Sequence, residues 1–437
     1  GWSQTSFAAR PCNLGVLKRY FASQKMGLSN FFRYFRMSLP LHIIRFLWYY
    51  NTRRMLHSYI LRSEEMSKYI RDLSIQFLMG CTLQNWIKLL WQNRDKPIYW
   101  KSLPKFIYIT LVIILLTPVR LIEKLLFDIK IKKTNIDKEP VFILGHWRSG
   151  TTYIVNMMSQ DEQFAVTNAI HCFGPNMFLC CYKVLNWILK RILPQNRHMD
   201  KVPLDTVSSQ EEEFAIANMS TLSNYHIITF PRNHKKYQKY AYFKNMSDTE
   251  LTEWKQKYLY ILKKVTLQQK GKRLLLKSPT NTSRVKQLLE LFPNAKFVNI
   301  YRNPYKVYVS TKRLYDNVFP VFELQKPVSK EESEETQFEI YENMYEKYFQ
   351  EKELIPEGNL IELRYEDVIE NPFESIERVY KELNIEGFEK ARPAIEKYIE
   401  AQKSYKPNKH QMDPQLVKKI SQRYDFTFRK WNYPKSL

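Results

Sequence analysis

The stretch VFILGHWRSGTTYIVNMM, residues 141–158, decides how the rest of the chain is read. VFILG is the short, continuous apolar run of a buried strand, HWRSG reads as a loop, and TTYIVNMM opens a helix. A strand feeding a helix this way aims loop N–H groups and a helix amino end at one point, which makes an anion site. Gly145 and Gly150 stand at the spacing of a phosphate-cradling loop, but Thr151 occupies the position where such a loop carries its lysine. The cation sits upstream instead, at Arg148, whose guanidinium can fork onto phosphate oxygens. The hydroxyls of Ser149, Thr151 and Thr152 add donors.

A nucleoside-triphosphate enzyme uses that missing lysine for the β and γ phosphates, and an Asp at the end of a neighbouring strand as a metal partner. Here the apolar runs RLLLK and KFVNIY close on Lys277 and Arg302. Both expected acid positions are basic. The pattern is that of an anion site with no metal ion in it.

Outward from the loop, VFILG, YHIITF, RLLLK, KFVNIY and NLIELRY read as buried strands separated by helical stretches. The clearest helix begins at MSDTELTEWKQKYLYILKKV, where Ser247 and Glu250 form a capping box and Leu251, Trp254, Tyr258, Ile261, Leu262 and Val265 share one face. Strands alternating with helices imply an α/β domain over residues 135–437, three-layered, with a central parallel sheet of about five strands and binding loops at the strand carboxyl ends. After Arg302, Asn303 caps the next helix and Pro304 takes its first position. Ser310 then falls two turns in.

GHWRSGTTY resembles the 5′-phosphosulfate loop of the sulfotransferases that use 3′-phosphoadenosine 5′-phosphosulfate (PAPS), of the bacterial-type branch. RLLLKSPTNTSRVKQLLELFPNAKFVNIYRNPYKVYVS is similar to the family's second signature, which puts Arg302 and Ser310 at the 3′-phosphate. LRYEDVIENP is similar to the element whose tyrosine packs by the adenine, a role that falls to Tyr365. The resemblance covers roughly residues 138–432. It implies a P-loop-like fold and O-sulfation of a hydroxyl acceptor by in-line displacement, with PAPS as co-substrate. Arg148, Ser149, Gly150, Thr151, Thr152, Arg302, Ser310 and Tyr365 would then hold the donor.

Such a reaction needs a base near the acceptor and positive charge on the leaving oxygen. Arg148, the loop amides and Lys277 supply the charge. Relatives often place a histidine where this chain has Asn281, and asparagine cannot be a base. Two replacements stand out: the acids Glu211, Glu212 and Glu213 before an apolar run, with Glu212 or a neighbour preferred, and then His171. The plainer readings are acids serving as helix-dipole partners and a hydrogen-bonded structural histidine. RHMDKVPLDTVSSQEEEF also looks like a block found in the bacterial-type branch. His146 shapes the loop, while His410, Lys406 and Lys409 fall where the family's last segment closes over the nucleotide.

The remaining composition concerns location. Residues 1–63 carry ten Lys or Arg and no acid, within a formal net charge of +24. This arm reads equally as an organelle transit segment and as a basic amphipathic arm on a membrane surface. Residues 64–134 read as helical, and FIYITLVIILLTPV (106–119) admits three readings: a membrane-interface segment, a buried core helix or a short span. Five cysteines without zinc-like spacing suit a reduced compartment, and a sequon at Asn281 inside the site argues against a secretory lumen. The expectation is an intracellular, cytoplasmic-side, membrane-associated enzyme acting on a sterol-like or lipid alcohol, with a carbohydrate acceptor or a P-loop kinase as rivals. No nucleic-acid recognition motif accompanies the charge.

Overall fold

In the computed structural model, residues 76–192, 205–402 and 412–435 are described. The chain divides between Ser67 and Lys68, and every described residue belongs to the second unit. The basic arm and the candidates His410, Lys406 and Lys409 lie outside the described residues.

Five strands form the sheet: β1 (Val141–Leu144), β2 (Phe164–Val166), β3 (Arg273–Lys277), β4 (Lys296–Tyr301) and β5 (Leu360–Arg364). All pair in parallel, in the order β2-β3-β1-β4-β5. The helices used below are α1 (Leu83–Gln92), α2 (Leu103–Lys133), α3 (Thr151–Met158), α4 (Ala169–Phe173), α5 (Phe178–Ile192), α6 (Glu213–Met219), α7 (Asp248–Gln268), α8 (Pro304–Asn317), α9 (Lys330–Glu351) and α10 (Pro372–Glu382).

Alternation along the strands splits the core in two. Phe142, Leu144, Leu274, Leu276 and Phe297 face Trp254, Tyr258 and Ile261 of α7. Val141, Ile143, Leu275, Val298 and Ile300 face Ile154 and Val155 of α3 and Ile376 and Val379 of α10. Helices therefore cover both faces, as a parallel sheet requires. Phe77, Trp86, Leu89, Ile109 and Ile113, from before β1, belong to the α7-side core. α7 starts where expected, with Ser247 Oγ accepting from the Glu250 amide and the Ser247 amide donating back to its carboxylate.

Two strand assignments change. YHIITF is not a strand: residues His226–Thr229 form a helical turn, buried on every side. A four-residue apolar run carries no period that separates a buried strand from a buried helix. The fifth strand is Phe164–Val166, too short to announce itself. The apolar run 106–119 is also only part of a helix of 31 residues, which continues through Pro118 to Lys133.

α2 is bound to the domain through an ion pair with almost no exposure, Lys264 Nζ to Glu123 Oε1 at 2.5 Å. The other Glu123 oxygen accepts from the Cys180 amide at 3.0 Å. Lys264→Met would leave a buried carboxylate short of its counter-charge. It should cost about 3–5 kcal/mol in denaturant unfolding, much of it recovered by adding Glu123→Gln. A loss below about 1 kcal/mol would contradict this anchoring.

Candidate active site

β3, β1 and β4 are neighbours, so the segments leaving their carboxyl ends emerge side by side. Neighbouring strands lie about 4.8 Å apart, which brings the three exits within about 10 Å. From β1 the chain enters the loop Gly145–Gly150 and then α3. Gly145 (φ +135°) and Gly150 (φ +107°) use backbone angles open mainly to glycine. A Cβ on Gly145 would sit 2.4 Å from the Ile300 carbonyl oxygen, and one on Gly150 would sit 2.4 Å from the Tyr365 ring. The loop is pinned by Thr282 Oγ1 accepting from the Gly145 amide (2.7 Å) and Tyr345 OH from the His146 amide (3.0 Å). Ser149 is buried and donates to the His146 carbonyl. No side chain caps α3, so its first amides, at Thr151 and Thr152, have no intrahelical acceptor.

Arg148 also has positive φ, +72°. That conformation costs an L residue roughly 1–2 kcal/mol. Its Nε donates to Ser310 Oγ at 2.8 Å, and its carbonyl accepts from Arg302 Nη1 at 3.1 Å. The Arg302 guanidinium lies 4.0 Å from the Tyr365 ring centroid, and its Nε is buried with no hydrogen-bond partner among the described residues. Asn303 caps α8, accepting from the Tyr305 and Lys306 amides. Arg148, Gly150, Arg302, Ser310 and Tyr365 thus form one connected group. A glycine notch, an orphaned guanidinium N–H and bare helix amides fit a phosphorylated nucleotide.

The three glutamates go three ways. Glu211 accepts from Lys277 Nζ at 2.9 Å, with Lys277 almost wholly buried. It also accepts from the Tyr225 hydroxyl, which in turn accepts from Trp147 Nε1. Burial, then the Glu211 charge, push the Tyr225 phenol up, so it donates. Glu212 is fully enclosed, with one oxygen accepting from Tyr258 OH (2.9 Å) and Asn281 Nδ2 (2.6 Å). Burial raises its pKa. Glu213 pairs with buried Arg284 at 2.6 Å and accepts from Ser223 and Thr280.

A cavity of about 130 Å³ opens beside this network. Its lining combines Arg148, Thr151, Thr152, Gln210 and Glu211 with the aromatic and aliphatic side chains of Phe77, Trp147, Phe214, Ile227, Phe319 and Phe322. Glu212, the preferred base, does not line it, because the turn into α6 sends successive side chains to different sides and aims this one at α7. His171 is also elsewhere. It closes a capping box with Asn168 at the start of α4, packs on Phe178 and is held down at about 3 by burial. His146 is likewise buried, with burial lowering it to about 4. Tyr225 and the aromatic wall escaped sequence reasoning; neither lies in a local motif.

A family model described as the sulfotransferase family matches residues 140–390. The chain is 30% identical over 357 residues to the omega-hydroxy-beta-dihydromenaquinone-9 sulfotransferase Stf3 of Mycobacterium bovis, covering 80% of this chain and 90% of that one. Stf3 of Mycobacterium tuberculosis matches equally. Among solved structures, the sulfotransferase STF9 of Mycobacterium avium superposes with a TM-score of 0.59 at 15% identity, over 80% of this chain and 96% of that one. STF1 of Mycobacterium tuberculosis gives 0.52 at 13% identity, over 85% and 98%. These two likenesses concern the fold.

Gly150→Ala would drive a Cβ into the Tyr365 ring and strain the loop. It should lower stability by about 2–4 kcal/mol in denaturant titration. An unchanged midpoint would contradict the packing of Tyr365 on this glycine.

Proposed function

The chain belongs to the sulfotransferase family, and on that premise we propose that it moves a sulfuryl group from PAPS to the hydroxyl of an apolar, lipid-like alcohol. One observation carries the reading: a single cavity is lined both by cationic and hydroxyl donors with a carboxylate and by a wall of aromatic and aliphatic side chains. The wall suits a hydrocarbon better than a carbohydrate. The Stf3 relatives are named for a hydroxylated menaquinone. At about 130 Å³ the cavity has room for the reacting end of an acceptor, not for a whole lipid.

PAPS, when bound, supplies the sulfuryl group and carries the phosphate that leaves. Arg302 and Ser310 would hold the 3′-phosphate, with Tyr365 beside the adenine. Arg148, Thr151, Thr152 and the first amides of α3 would hold the 5′ end. Glu211 is the base: it faces the cavity, and Tyr225 and Lys277 fix its orientation. It takes the proton of the acceptor hydroxyl as the acceptor oxygen bonds to sulfur and the sulfur–oxygen bond to the 5′-phosphate breaks. Lys277 is placed to share its charge between Glu211 and the leaving oxygen. The products are a sulfate monoester and adenosine 3′,5′-bisphosphate. The kinase reading finds no support, since Lys277 and Arg302 occupy the strand ends where it needs acids.

Labelled PAPS offered with long-chain alcohols, sterols and oligosaccharides tests the assignment; label should pass to an apolar alcohol. Glu211→Gln should lower that rate by about 10²–10⁴ while donor binding stays within a few-fold. Glu212→Gln, whose carboxylate bonds to Tyr258 and Asn281 and does not line the cavity, should stay within about threefold of the parent. A full rate in Glu211→Gln would remove it as the base, and label passing only to sugars would overturn the acceptor class.

A further inference from the structure

α2 buries three of its charged side chains and exposes much of its hydrocarbon, unlike an ordinary surface helix. Lys105, Arg120 and Glu123 are buried. Lys105 donates to the carbonyls of Val321 (2.6 Å) and Glu323 (3.2 Å), and Arg120 to those of Ile113 (2.9 Å) and Met79 (2.6 Å). Ile107, Leu111, Ile114, Ile122, Leu125 and Ile129 are exposed, Leu125 by 82%. At 3.6 residues per turn, the exposed apolar residues from Leu103 to Ile129 fall within an arc of about 140° and extend for about 39 Å. Between Leu103 and Ile129 no charged side chain of the helix falls in that arc; Lys132 and Lys133 enter it only at the carboxyl end.

A continuous apolar stripe of this length is an interaction surface. We propose that it seats in the acyl layer of an anionic lipid bilayer, with α2 lying in the membrane plane. The helix is long and apolar enough to cross a membrane, but its opposite side is fastened to protein from Lys105 to Ile131, so lipid cannot surround it as a span requires.

The edges of the stripe match a headgroup layer. Exposed Trp100 carries Lys101 at 5.6 Å from its ring, and Lys130, Lys132 and Lys133 close the far end. On the flanking helices, exposed Trp91 of α1 carries Arg94 at 4.0 Å and exposed Trp187 of α5 carries Arg191 at 3.7 Å. Such amphipathic aromatic and basic side chains favour the lipid–water boundary. A second copy laid on the same stripe would set these cations against each other in either orientation. The carbonyls that hold Lys105 belong to the segment whose Phe319 and Phe322 line the cavity. If the acceptor is a lipid alcohol, as proposed above, this seat lets it reach the cavity without leaving the membrane.

Flotation of the full chain with vesicles tests the seat without any turnover. Vesicles of phosphatidylcholine with phosphatidylglycerol should carry the protein, and phosphatidylcholine alone should carry much less. Leu125→Glu with Leu126→Glu should weaken partitioning at least about tenfold while leaving the thermal midpoint and adenosine 3′,5′-bisphosphate binding unchanged. Flotation of this variant at the parent level would place membrane attachment elsewhere in the chain and overturn the proposal. So would a parent that stays in solution, or one that is dimeric by light scattering where the variant is monomeric.

Discussion

Three cations leave neighbouring strand ends, and the cleft depends on how they are kept together. Like charges this close repel, so each needs a holder. Arg148 donates to Ser310, Arg302 donates to the Arg148 carbonyl while stacking on Tyr365, and Lys277 pairs with Glu211. The contacts named for Arg148 and Arg302 are to a hydroxyl, a carbonyl and a ring, all neutral groups. An anion arriving there meets groups already arranged, with little reorganisation left to do. Glycine at 150 is part of this design, because the Tyr365 ring occupies the space a side chain would need.

The carboxylates show how the sheet edge separates structure from chemistry. Glu213 neutralises Arg284, and Glu212 ties the start of α6 to α7 through Tyr258 and to the segment after β3 through Asn281; both are sealed. Glu211 alone of the three lines the cavity. Consecutive residues in a helical turn point about 100° apart, so a run of three acids can serve three different neighbours.

That geometry also sets what could be read from sequence. The loop, the Asn303–Pro304 helix start and the Ser247–Glu250 capping box are local signals, decided by residues within a few positions of one another, and the structure has each of them. Four of the five strands were legible as apolar runs. Which glutamate faces the cleft was not, because it depends on where α7 and β3 lie. YHIITF is helical for the same reason, its burial coming from elements distant in sequence. α2 was legible as apolar, but the burial of Lys105, Arg120 and Glu123 was not, because it depends on elements distant in sequence that pack against them.

The central claim is that Arg302 recognises a 3′-phosphate at a site shared with Arg148. Calorimetric titration of the parent and Arg302→Ala with adenosine 3′,5′-bisphosphate and with adenosine 5′-phosphosulfate, which lacks the 3′ group, tests it most directly. The account predicts a loss of about 10–100-fold for the bisphosphate, the worth of a charge-assisted contact, and little change for the phosphosulfate. Equal losses for both ligands would contradict it.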